Sequence, residues 1–170
     1  MIQLINKTDI SQYRQISASV KDAKINPFIA DAQLLDLLPL LGEKMYYDLM
    51  ANPANYIDLM NPKAYQYNNQ TIESPGLKIV LCHFAYARYI MHGSQSDTPF
   101  GMVEKSYQDG NHVSRTDKKE IYKQSQNVAM QYWGQVEVYL NRNLNIYKLW
   151  RVDLLVNPQR RNFKLNHITR

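Results

Sequence analysis

Apolar residues recur at intervals of three and four over most of this chain, the period of an α-helix. Ile10, Tyr13, Ile16 and Val20 give one such face. It follows Thr8-Asp9, where Thr8 is the expected N-cap. Phe28, Ala32, Leu35 and Leu38, together with Leu34, Leu37, Leu41, Met45 and Leu49, form a wider stripe. Asn26-Pro27 opens it as a cap followed by Pro at the first helical position, after a polar connector over Lys21–Lys24. Pro39 has no N–H to donate to Leu35, and Gly42 follows closely. The pattern therefore predicts two helices, about 27–38 and 40–51, with the break at Pro39.

The period is lost between Ala51 and Thr71, a segment rich in Asn with Pro53 and Pro62. Short turns or 3₁₀ segments are expected there, with Tyr56, Leu59 and Met60 tucked onto the body. Ser74-Pro75 is a second cap-then-Pro start. Leu77, Val80, Leu81, Phe84, Ala87 and Met91 form its stripe, and Ile79, His83, Tyr86 and Ile90 widen it. A helix apolar on most sides is expected at the centre of the packing, and Gly93 is its expected stop. Residues 102–107 alternate, Asp109-Gly110 has turn chemistry, and His112-Val113-Ser114 reads as a returning strand. Thr116 starts the last helix. Ile121, Val128, Ala129, Tyr132, Val136, Tyr139 and Leu140 run along one face to about Asn143, with Trp133 beside it.

The expected fold is mainly α. It is a compact helical bundle with a short β-hairpin or extended loop around 99–115 and an extended C-terminal arm. The division is a helical domain over 1–145 and a basic arm over 146–170. No run of about 18 apolar residues predicts a membrane span, and the start MIQLINKTDI lacks the pattern of a signal peptide.

Charge changes this picture at one end only. The net charge is +5, yet the first 150 residues are nearly balanced. Residues 151–170 hold five Lys/Arg against Asp153 alone. Such a tail fits an acidic partner, either nucleic acid or an acidic protein surface, or serves as a solubilising terminus. Arg160, Arg161 and Lys164 flank Phe163, which interleaves charge with one stacking ring and fits non-specific, salt-sensitive phosphate contact. The competing reading docks the arm on a protein through Trp150, Leu154, Leu155 and Val156, with the cations at the rim. The 13 tyrosines suit surfaces that are half buried, or buried only on assembly, or a small core rimmed by Tyr.

Candidate chemistry is thin. Cys82 is the only cysteine, so an internal disulfide is impossible. His83 and His92 are nine apart and do not share a helix face as metal ligands do. Cys82 and His83 read better as core or helix-surface residues. Asp31, Asp36 and Glu43 sit on the polar side of a Leu-rich helix and are expected to be solvated rather than paired for acid–base work. There is no Gly-rich phosphate loop and no nucleophile elbow. No catalytic residue, metal site or cofactor is expected.

Several motifs, in their order along the chain, give a resemblance. They are Ile5–Ile10, Ile25–Gln33, Leu40–Glu43, the Pro75-started helix through Tyr89, Thr98–Lys105 and Tyr139–Asn141. Over roughly residues 3–150 the chain resembles the head–tail connector (head-completion or adaptor) proteins of tailed phages, in the form found in phages and prophages of Bacteroidetes and in crAss-like phages. The resemblance implies a non-enzymatic virion protein at the head–tail interface, assembled in the bacterial host cytoplasm. It implies a ring of about twelve copies below the portal protein, in contact with other tail or ring proteins and around channel DNA. On that reading Thr98, Pro99, Phe100, Met102 and Tyr107 belong to an inter-subunit loop. The arm, with Trp150, Leu154, Leu155, Arg160, Arg161, Phe163 and Lys164, docks on a partner or on DNA. The alternative is a nucleic-acid-binding accessory protein acting through that arm.

Overall fold

A computed structural model describes residues 2–93, 95–98, 101–104 and 113–151. The fold is mainly α, with two small antiparallel strand pairs. Helix α1 spans Lys7–Tyr13 and is capped by Asn6, not Thr8. The Asn6 side chain accepts from the Asp9 N–H, and the Asp9 carboxylate accepts from the Asn6 N–H. This reciprocal pair satisfies two donors that a helix start otherwise leaves open.

Helix α2 spans Asp22–Asp31, so Pro27 lies inside it rather than at its first position. The expected polar connector over Lys21–Lys24 is its first turn. A π-helical segment, Ala32–Leu37, follows without interruption, then α3 over Leu38–Leu41. The widened turn takes the Leu38 N–H to the Gln33 carbonyl, five residues back. Pro39, with no N–H to place, then enters without breaking the chain's direction. The break falls at Gly42, whose φ of 81° is open to glycine. Helix α4 spans Glu43–Ala51.

The segment expected to be irregular begins as such, with a 3₁₀ turn Pro53–Tyr56 and a short helix α5, Ile57–Met60. It then forms an unforeseen hairpin. Strand β1, Lys63–Tyr67, pairs with β2, Gln70–Ser74, around Asn68-Asn69, both at positive φ. Asn tolerates that region better than other side chains, which is why it closes this turn without glycine.

Helix α6, Leu77–His92, is the centre of the core, as its all-round apolar pattern implies. Leu77, Val80, Leu81, Cys82, Ala85 and Ala87 have no exposed surface. Its start is Gly76, not Ser74-Pro75. Strands β3, Gln95–Thr98, and β4, Gly101–Glu104, form the second hairpin. The turn expected at Asp109-Gly110 lies outside the described residues. The strand expected at His112–Ser114 does not form over Val113-Ser114. Ser114 caps α7 instead, with its hydroxyl accepting from the Asp117 N–H.

Helix α7, Arg115–Arg142, packs along α6 through Ala129, Trp133, Val136, Tyr139 and Leu140. Helices α1 and α2 and the π segment pack on α6 as well. After Arg142 the chain turns back, burying Tyr147 and Trp150.

Candidate interaction surface

Most polar groups of the described interior are consumed by the fold, the buried Ser74 hydroxyl being an exception. Gln33 is fully buried at the π turn. Its Oε1 accepts from the Leu4 N–H at 2.7 Å, and its Nε2 donates to the Ile2 carbonyl at 3.0 Å. One carboxamide thus pairs the entering chain as a neighbouring strand would. Asp36, expected on a solvated face, is half-buried. Both its oxygens accept from Arg88 of α6, at 2.8 and 2.9 Å. Such a two-point, charge-assisted contact fixes the π segment against the central helix.

His83 is buried, and its Nδ1 accepts from Arg14 Nε at 3.1 Å. Tyr132 of α7 stacks on the ring at 5.5 Å. Burial first, then the Arg14 cation, pushes His83 down to about 4. It is therefore a neutral acceptor at neutral pH. Burial pushes the Cys82 thiol up to about 12, so it carries no thiolate to act as a nucleophile or metal ligand. The Tyr56 hydroxyl donates to Asp48 at 2.5 Å, and Tyr139 and Tyr147 share a buried hydrogen bond of 3.3 Å. Among the described residues no three His, Cys, Asp or Glu converge to hold a metal ion. No described helix is long and apolar enough to cross a membrane.

What the fold leaves open is apolar. Leu34 and Leu35, members of the second stripe, face outward at 40% and 54% exposure. The π turn rotates them away from the side that α6 covers. Ile57, Leu144 and Ile146 are exposed beside Tyr56 and Tyr147, whose rings stack at 6.2 Å. On α7, Met130 and Val138 are exposed on either side of Gly134, where an added Cβ would meet nothing within 4 Å. A polar groove lined by Asp117, Glu120, Lys123, Gln124, Asn127 and Gln131 runs along the same helix. None of these surfaces was singled out from the sequence. One signal was present: residues 124–136, thirteen in a row, carry no formal charge on a helix with a solvent face.

The sequence-predicted site residues divide into three groups. Thr98 ends β3 and Met102 lies in β4, with Thr98 opposite Gly101 and Asp97 opposite Met102. Each of the two hairpins has only two strands among the described residues, so their outer edges are free to pair. Pro99, Phe100, Tyr107, Leu154, Leu155, Arg160, Arg161, Phe163 and Lys164 lie outside the described residues. Trp150 is placed differently from expectation. It is 6% exposed, its ring meets Trp133 edge-on at 5.9 Å, and its Nε1 donates to Asn141 at 3.0 Å. Arg151 continues this return by pairing with Glu137 at 2.8 Å. A large aromatic side chain with a partner for its N–H is more stable inside its own fold than held in water for another protein.

A protein-family model described as "Family of unknown function (DUF6712)" matches residues 37–158. No curated protein and no solved structure matches the chain.

Proposed function

We propose that this chain, which belongs to the DUF6712 family, is a structural subunit of a tailed-phage head–tail connector. It forms an adaptor ring that docks below the portal and joins capsid to tail. The observation that carries this reading is the division of labour between interior and surface. In the described interior Gln33, His83 and Asp36 are spent on holding elements together. The described surface keeps large apolar side chains, among them Leu34, Leu35, Ile57, Met130, Val138 and Ile146, in water. Uncovered apolar area of this kind is stabilised when another surface excludes its water. The order of motifs from Ile5 to Asn141 supports the same reading through the connector resemblance.

On this proposal the partners are further copies of the chain, about twelve by resemblance, then the portal protein and other tail or ring proteins. The segment from Thr98 to Arg115 and the basic residues after Arg151 are the inter-subunit and partner-facing parts, and channel DNA is touched without sequence preference. No reaction, metal or cofactor is assigned. Native mass spectrometry and cryo-electron microscopy of the assembled particle test the reading. A closed ring at the head–tail vertex is expected. A chain that stays monomeric and is found in no assembly overturns it.

A further inference from the structure

We infer that the outer face of α7 around Gly134 is a docking surface for a second copy of this chain, α7 lying antiparallel on α7 about a two-fold axis at Gly134. Three observations lead there.

Gly134 lies inside a 28-residue helix, where glycine weakens the helix relative to alanine. Nothing among the described residues requires it, since a Cβ there meets none of their atoms within 4 Å. A glycine at the centre of a helix contact lets a second backbone come close.

Met130 and Val138 stand four residues before and four after it, on the same face, and both are exposed. The spacing is symmetric. An antiparallel second copy centred on Gly134 brings Met130 against Val138 of that copy, and Val138 against its Met130. It also brings Asn127 opposite Asn141. The face is thus complementary to itself, as a two-fold contact demands.

The third observation selects the occupant. The chain carries a net charge of +5, yet residues 124–136 carry none. The contact from Asn127 to Asn141 adds one charge, Glu137, which Arg151 pairs at 2.8 Å, so two copies meet here without like-charge repulsion. With the axis at Gly134, Asn127 faces Asn141 and Gln131 faces Glu137 of the second copy, and an amide, which both donates and accepts, can bond either. A strongly acidic partner, or a nucleic acid, finds no run of cations on this stretch.

This pairing is two-fold, whereas a ring is built from contacts between different faces. It therefore goes beyond the connector reading and describes the free chain in solution. Sedimentation velocity on the full 170-residue chain, from about 1 μM to 1 mM, is the test. A concentration-dependent monomer–dimer equilibrium is expected. Gly134→Leu and Val138→Lys should each weaken it by about tenfold or more. At the dilute end Gly134→Leu should melt no lower than the parent, because its side chain enters open space.

A parent chain monomeric at 1 mM overturns the inference. So does a dimer, or a larger closed ring, that both variants leave unchanged; the ring outcome would support the connector reading while removing this one. A dimer lost in both variants, from a chain found in no particle, keeps this inference and removes the connector. A photo-crosslinker at Gln135, in a mixture of light- and heavy-isotope chains, checks the occupant. Adducts joining light to heavy chains are expected. Adducts confined to one chain, onto residues 152–170, overturn the inference.

Discussion

His83 and two glycines show how single residues answer to their surroundings. His83 holds its neutral form because burial and the nearby Arg14 cation both disfavour a proton. In the unfolded chain its pKa returns to about 6.5. The unfolded state then binds more protons between about 6.5 and about 4, so stability is full above that window and falls as pH drops through it. The loss should reach roughly 2–3 kcal/mol near pH 4. Urea unfolding of the parent and of His83→Gln across pH 4–8 checks this, and the variant should lack that component. Gly76 and Gly134 should respond oppositely to alanine. Gly76 has φ of +78°, and a Cβ there would sit 2.5 Å from the Asn61 carbonyl carbon. Gly76→Ala should cost roughly 2–4 kcal/mol, whereas Gly134→Ala in the monomer should gain up to about 1 kcal/mol. Thermal melts at low concentration read both. The sequence marks neither difference, because a glycine's conformation and neighbours are set by what packs around it.

At the scale of elements, the π segment links the entering chain to the central helix. Gln33 holds residues 2–4, and Asp36 is gripped by Arg88. Asp36→Asn keeps the shape but loses the charge and one acceptor. It should cost about 1–3 kcal/mol in urea unfolding without removing helix from the circular dichroism spectrum. Helices with a strong three-to-four period were legible in the sequence: α4, α6 and α7 lie where the stripes put them. Boundaries were less so. Pro39 suggested a break, but the widened turn before it absorbed the proline and the break moved to Gly42. The β1–β2 hairpin escaped because Asn68-Asn69 and its mostly exposed strands lack the usual glycine turn and apolar face. Tyr65, held by Arg142 of α7 at 2.9 Å, is a contact made only after the chain has folded.

For the whole molecule, the distinction is between a body that assembles and a tail that binds nucleic acid. Removing residues 157–170 deletes four cations. If the chain acts as a connector subunit, the shortened form should dock less well on its partner subunits, with DNA affinity and its salt slope unchanged. A drop in affinity, with the log–log salt slope shrinking by up to about 4, would favour the nucleic-acid reading instead. Titration of labelled duplex DNA at several salt concentrations separates these outcomes. Trp150 bears on the same distinction. Its burial against Trp133 takes it out of the set available to a partner, leaving any docking by the tail to residues beyond Arg151.

By itself the sequence determined the fold class, the central place of α6, the extent of α7 and the separation of charge into the last twenty residues. Those follow from periodicity and composition, which are local properties that a chain carries before it folds. Only the tertiary structure decided that Asp36 pairs with Arg88 across 52 residues, that His83 is held neutral by burial and by Arg14, and that Trp150 turns inward. It also decided which apolar residues stay in water, Leu34 and Leu35 on the π turn and Met130 and Val138 around Gly134. The physical reason is that a stripe states how many apolar residues a helix can bury. Which of them are buried depends on the width and angle of the neighbour that covers it.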